Sequence, residues 1–160
     1  MSSKIGFFTG ARSEYGIMKN LINEVNDSES FSYSLYVSGM HLLDTFGNTI
    51  DEIKQDGFHI DGIIKAFTEK NEPNAGEFSK IITGFSSQLE KDEPDILFVI
   101  GDRPETYAAV LGAHFAGVPV IHSGGGTITK GAVDNKYRYN ITNLSDYYFA
   151  TSKGNYERLR

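Results

Sequence analysis

DILFVIGDRPETYAAVLGAHFAGVPVIHSGGG, residues 95–126, is the stretch that decides the fold. An apolar run from Ile96 to Ile100 ends in Gly101-Asp102-Arg103, and a helical pattern begins near Pro104. A second apolar run, Val118 to Ile121, ends in His122 and four small residues. Strand, turn, helix, strand and Gly-rich turn make a βαβ unit with a polar cluster after each strand. In parallel α/β sheets ligands bind at the carboxyl ends of the strands, so both clusters are expected to face one crevice.

The same alternation runs outward in both directions. Lys4 to Thr9 reads as a short buried strand stopped by Gly10. A helix is expected from Ser13 or Glu14, with Ser13 as N-cap, to about Asn26; Ile17, Met18, Leu21, Ile22 and Val25 give it an apolar face. Ser32 to Val37 is the second strand, ended by Ser38-Gly39-Met40-His41. Gly47-Asn48-Thr49 is a turn able to cap a short helix over 50–55, and Phe58 to Ala66 reads as the third strand. The polar stretch 68–76 is either a loop near the site or a solvated connection. Glu77 to Lys91 is a helix stopped by Glu93-Pro94, because proline disfavours helix in the residue before it. Asp95 to Ile100 and Val118 to Ile121 are strands four and five. Helix 134–145, strand 146–150 and the start of a helix at 152–160 complete a doubly wound, mainly parallel, Rossmann-like α/β sheet. A chain that stops a few residues into a helix reads either as a piece of something longer or as a small protein with a frayed last helix.

Composition narrows the function. At 160 residues a single domain with a proper core is expected. The absence of cysteine excludes disulfide frameworks, thiol nucleophiles and thiolate metal sites, and fits a reducing cytoplasm. A formal net charge of -6 argues against nucleic-acid binding. No apolar run approaches the ~20 residues of a membrane span, and the opening Met-Ser-Ser-Lys is not a signal peptide. A cytoplasmic domain without membrane or nucleic-acid partners is the expectation.

The strand ends carry the candidate chemistry. Arg12, at the start of the first helix, either holds an anion such as phosphate with the free N–H groups there or is merely solvated. The fingerprint G-x-G-x-x-G is absent, which disfavours a nicotinamide dinucleotide. His41 is either a site residue or a hydrogen-bonded loop residue. Asp102 either serves as a general base or ligand-hydroxyl acceptor, or caps the helix at 104 with a salt bridge to Arg103. Glu105 reads as a carboxylate complementing the helix dipole. The glycines after His122 either let backbone approach a ligand or form a flexible turn. Asp134 and Arg138 are four apart on one helix, where an ion pair is expected. No metal-ligand spacing and no nucleophile elbow is present.

Six segments together resemble one family: TGARSEYG (9–16), SGMHL (38–42), GNTIDEI (47–53), GDRPE (101–105), PVIHSGGG (119–126) and GAVDNKYRYNITNLSDYYFATSKGNYERL (131–159). In order and spacing they are similar to the UDP-N-acetylglucosamine 2-epimerases, most of all the hydrolysing branch of sialic-acid and related nonulosonate pathways. The resemblance implies the N-terminal half, residues 1–160, of a glycosyltransferase-B-like two-domain fold, with a uridine-binding C-terminal domain outside this chain. It implies a UDP-sugar substrate, no cofactor and no metal, and often a homo-oligomer. The implied reaction is elimination of UDP to 2-acetamidoglucal, followed in the hydrolysing branch by addition of water to give N-acetylmannosamine or a related amino sugar. Asp102 and Asp134 take the catalytic positions under this resemblance; Arg12, His41, Arg103, His122 and Arg138 take substrate-binding ones. Thr127 stands where the family has a glutamate, Asn135 where it has a second carboxylate, and Gly124 and Tyr139 where it has histidines. Asparagine and threonine cannot act as bases at neutral pH. The substitutions tell against unmodified epimerase chemistry and keep two alternatives open: an impaired sugar-nucleotide-binding module, or another glycosyltransferase-B-type transferase.

Overall fold

A computed structural model describes residues 2–66 and 74–160. Six strands and six helices alternate: β1 Ser3–Thr9, α1 Arg12–Asn26, β2 Phe31–Ser38, α2 Ile50–Gln55, β3 Gly62–Ile64, α3 Ala75–Asp92, β4 Ile96–Ile100, α4 Pro104–Ala116, β5 Val120–Ser123, α5 Asp134–Leu144, β6 Tyr147–Phe149 and α6 Lys153–Leu159. Two 3-10 turns, Gly39–Leu42 and Asp44–Phe46, join β2 to α2. The sheet order is β3-β2-β1-β4-β5-β6, with every pair parallel. The doubly wound expectation holds. The order reverses between β1 and β4, which opens a crevice at their carboxyl ends.

Strand alternation explains the two cores. Phe7 and Phe8 point to opposite faces of β1. Phe7 joins Met18, Ile22, Leu35, Ile53 and Phe98 beneath α1 and α2. Phe8 joins Tyr36, Ile81, Phe85, Leu97 and Val99 beneath α3 and α4. Helix α4 buries Ala108, Ala109 and Ala113; such short side chains allow α3 to pack closely against it. Each fully buried aromatic contributes roughly 2–3 kcal/mol by area, so the sheet is anchored on both sides.

Several boundaries differ from the sequence expectation, each for a local reason. The N-cap of α1 is Ala11, not Ser13, because the Glu14 carboxylate reaches back to accept from the Gly10 and Ala11 N–H groups, at 2.7 and 3.2 Å. Thr49 is the N-cap of α2 without a side-chain cap bond. Strand β3 is shorter than 58–66. The Asp61 carboxylate accepts the Leu35 N–H at 2.9 Å, and the Asp61 N–H donates to the Leu35 carbonyl at 2.9 Å, so pairing of the regular kind begins only at Gly62. Helix α3 starts before Glu77, capped by Asn74, whose side chain accepts the Glu77 N–H while the Glu77 carboxylate accepts the Asn74 N–H. Strand β5 begins two residues later than expected, where the Asp146 carboxylate receives the Val120 N–H at 2.9 Å. His122 and Ser123 therefore lie inside the strand. Most of the polar stretch 68–76 lies outside the described residues. Among the described residues no helix is long and apolar enough to cross a membrane.

Candidate functional site

The carboxyl ends of β1, β2, β4 and β5 place the loops 10–12, 39–42, 101–103 and 124–133 along one edge. Between the first three lies a cavity of ≈ 320 Å³ lined in part by Arg12, Met40, Phe46 and Arg103. Arg12 is well exposed and holds Glu52 through Nε at 3.1 Å. Arg103 lies across the switch point from it and is about one third exposed. Two guanidinium groups thus border one cavity, an arrangement suited to an anion with several oxygens.

Beneath the cavity the fold stores carboxylates. Glu14 is buried, and besides the two loop N–H groups it accepts the Thr106 hydroxyl at 2.9 Å. Burial, and then the charge of Glu105, push its pKa up to about 8, against the pull of those hydrogen bonds. Glu105 is wholly buried and paired with Arg103 Nε. From the sequence alone Glu105 reads as complementing the helix dipole, and Glu14 as an ordinary first-turn residue of the first helix. Their burial comes from β1 and β4 being neighbours across the switch point, which local sequence does not announce.

Both histidines are supports. His41 is wholly buried, with Nε2 2.9 Å from the Thr9 hydroxyl and Nδ1 2.7 Å from that of Thr49. His122 is wholly buried as well, with Nε2 2.7 Å from the Gly101 carbonyl and Nδ1 3.1 Å from the Thr142 hydroxyl. A carbonyl only accepts, so His122 Nε2 carries the proton. Burial lowers both pKa values to about 4, so each ring is neutral near pH 7. Neither presents a free nitrogen to the crevice. They brace the loops that do face it.

The charged residues pair across strands, not along the helix. Asp102, partly exposed, forms an ion pair with Arg138 Nη2. Arg138 Nη1 donates to the Thr127 carbonyl and to Asn135 Oδ1, both at 2.8 Å. The expected Asp134–Arg138 pair and the Asp102–Arg103 bridge, one of two readings of Asp102, therefore do not form: Arg103 turns to Glu105, and Arg138 turns inward to the end of β4. Asp134 is exposed at the first turn of α5, and its charge acts on Arg103. Asp102, Asp134, Arg12, Arg103 and Arg138 thus share the edge at which the crevice opens.

Thr127 and Asn135 are engaged structurally. Asn155 Nδ2 donates to the Thr127 hydroxyl at 2.8 Å, tying the β5 loop to α6. Asn135 Oδ1 accepts the Thr129 N–H at 3.0 Å, and its Nδ2 donates to the Thr129 carbonyl at 2.5 Å. An amide can both accept and donate here, as a carboxylate cannot. Among the described residues no group of three or more His, Cys, Asp or Glu could hold a metal.

Comparison with known proteins gives these loops a family. The family model for UDP-N-acetylglucosamine 2-epimerase matches residues 23–160. A Legionella pneumophila protein named UDP-N,N'-diacetylbacillosamine 2-epimerase (hydrolyzing) is 36% identical over 161 residues, covering 99% of this chain and 42% of its own length. The Escherichia coli polysialic acid biosynthesis protein P7 is 31% identical over 152 residues, covering 94% of this chain and 39% of its own length. Among solved structures, the Neisseria meningitidis UDP-GlcNAc 2-epimerase bound to UDP-GlcNAc superposes with a TM-score of 0.84 at 22% identity, over 98% of this chain and 42% of that one. The chain thus spans about two fifths of the length of these relatives. Its six-stranded parallel sheet is the Rossmann-like unit of their glycosyltransferase-B-like fold. By the family model and by these relatives, the chain belongs to the UDP-N-acetylglucosamine 2-epimerase family.

Proposed function

We propose that this chain is the sugar- and diphosphate-facing half of a hydrolysing 2-epimerase for a UDP-linked N-acetylated amino sugar. UDP-N-acetylglucosamine and UDP-N,N'-diacetylbacillosamine are the candidates that the names of its relatives supply. The observation that carries the reading is that Arg12 and Arg103 border one cavity at the switch point, with Asp102 and Asp134 on the same edge. A second, uridine-binding domain, a homo-oligomeric assembly and a cytoplasmic setting belong to the same proposal.

In this reading the two arginines bind the diphosphate and stabilise charge as it leaves. A carboxylate, Asp102 or Asp134, takes the C2 proton while the C1–O bond breaks and UDP departs with the bonding electrons, leaving 2-acetamidoglucal. Water then adds its oxygen to C1, and a proton returns to the opposite face of C2, giving the free 2-epimer. Arg138 holds Asp102 in place, and His41 and His122 hold the loops.

A second reading has its own observation. Thr127 and Asn135, at positions where the resemblance implies carboxylates, spend their side chains on loop structure, which suits a module that binds the nucleotide sugar without turning it over. The natural protein carrying this chain together with a uridine-binding domain distinguishes the two in deuterated water. Release of UDP with deuterium at C2 of the free sugar supports the epimerase. Binding of the UDP-sugar without release supports the module, and absence of both sinks the two together.

A further inference from the structure

We propose that Glu105 is a positioning residue: a buried carboxylate that holds Arg103 by its Nε so that the terminal N–H groups of the guanidinium face the crevice. The inference rests on the reading of that crevice as a diphosphate site. Three independent features of the fold converge on this one side chain.

The first is the contact itself. Arg103 donates through Nε to Glu105 Oε1, and among the described residues its terminal nitrogens have no partner. A guanidinium gripped at Nε keeps two parallel N–H groups for an incoming oxygen pair, whereas a lysine offers only a point charge. The second is the space cleared for it. A Cβ on Gly10 would lie 2.3 Å from Glu105 Cγ, so any side chain there collides with the glutamate. A Cβ on Gly39, whose φ is +61°, would lie 3.1 Å from Glu105 Oε1 and 2.7 Å from the Gly10 carbonyl oxygen. The loops after β1 and β2 thus both omit side chains where Glu105 passes, and they are joined by the Met40 N–H to the Gly10 carbonyl at 2.8 Å. The third is the state of the carboxylate. Glu105 is fully buried, and among the described residues its Oε2 has no hydrogen-bond partner. Burying a carboxylate with one idle oxygen is unfavourable for stability alone. The arrangement is accounted for if its task is to fix Arg103.

The test is a double-mutant cycle read with inorganic pyrophosphate, which contains neither uridine nor sugar. The chain is titrated calorimetrically as wild type, Glu105→Gln, Arg103→Lys and the double variant. Glu105→Gln is expected to weaken pyrophosphate binding about tenfold, the scale of one charge-assisted contact, with Arg103→Lys weakening it at least as much. In the Arg103→Lys background, Glu105→Gln should add no further loss, which a merely structural role would not produce. Additive losses, unchanged affinity in folded Glu105→Gln, or no pyrophosphate binding by wild type each overturn the proposal. A variant that fails to fold leaves a second measurement on the unaltered chain: the Arg103 Nε–H resonance should be protected from solvent exchange, and a rapidly exchanging one overturns it. Failure of the epimerase reading would appear separately, in the UDP-release assay.

Discussion

Asp102 and Arg138 come from different strand–helix units, and their ion pair fastens the end of β4 to α5. Arg138 also secures Thr127 and Asn135, so it is the more heavily connected partner. Arg138→Ala is therefore expected to cost about 3 kcal/mol, since it strands a partly buried carboxylate and two acceptors. Asp102→Asn keeps a polar group in place and should cost roughly 1 kcal/mol. Urea unfolding of the two variants checks the order. Equal losses would mean that the Thr127 and Asn135 contacts contribute nothing.

If the chain is half of the proposed two-domain epimerase, Asp102→Asn should remove UDP release by that protein while leaving UDP-sugar binding within a fewfold, because an amide cannot take the C2 proton. Retained turnover in a folded Asp102→Asn protein would shift the base to Asp134. The matching Asp134→Asn variant then decides it.

The resemblance in sequence implies carboxylates at positions 127 and 135, and they can be introduced there. Asn135→Glu keeps an oxygen for Arg138 but gives up the donation to the Thr129 carbonyl, and Thr127→Glu displaces Asn155. The double variant of the two-domain protein is expected to release UDP faster than wild type. No gain in a well-folded double variant counts against a simple loss-of-carboxylate account.

Gly10→Ala should destabilise by about 2–3 kcal/mol, the scale of an overpacked core, because its methyl group would meet Glu105. Trimming the obstacle with Glu105→Ala should recover part of that loss, as contacting sites do not add. Thermal unfolding of the single and double variants is the measurement.

The pH dependence has two opposite parts. Glu14 has a folded pKa of about 8, above its ordinary value of 4.5, so the native state holds the extra proton between those values. Its contribution is complete below pH 4.5 and declines as pH rises through 8, by at most about 1.4 kcal/mol per pH unit. His122 is the reverse: its folded pKa of about 4 lies below 6.5, so its contribution is complete above pH 6.5 and is lost as pH falls through 4. Urea midpoints from pH 4 to 9 should show the alkaline decline flattened in Glu14→Gln and the acid decline reduced in His122→Asn. An unaltered alkaline limb in Glu14→Gln would show that its three hydrogen-bond donors keep Glu14 charged throughout.

The alternation of strands and helices was legible in sequence because each apolar run is short and closed by glycine, proline or a polar turn. The third strand was overread, since Phe58 and Ile60 look like strand residues, while Asp61 occupies the ladder position before Gly62 with its own carboxylate. Arg12, Asp102 and Arg103 stand out in sequence because each lies within three residues of a strand end, which places them at one edge of the sheet. The pairing of Asp102 with Arg138 and of Arg103 with Glu105 was not legible. Helical spacing suggested nearer partners, and the sheet order that brings β4 beside β5 and α5 is a tertiary fact. The buried state of His41 and His122 escaped for the same reason: their threonine partners, Thr9, Thr49 and Thr142, lie on other elements.

The hydrogen bond from Asn155 to Thr127 also sets an order on any mutational path. A glutamate arriving at 127 first would have to fit a longer side chain where Asn155 Nδ2 already donates to the Thr127 and Thr151 hydroxyls. A prior change at 155 would free that ground. Natural variants of this chain with an acid at 127 should therefore carry something other than asparagine at 155, and the two positions should change hands together.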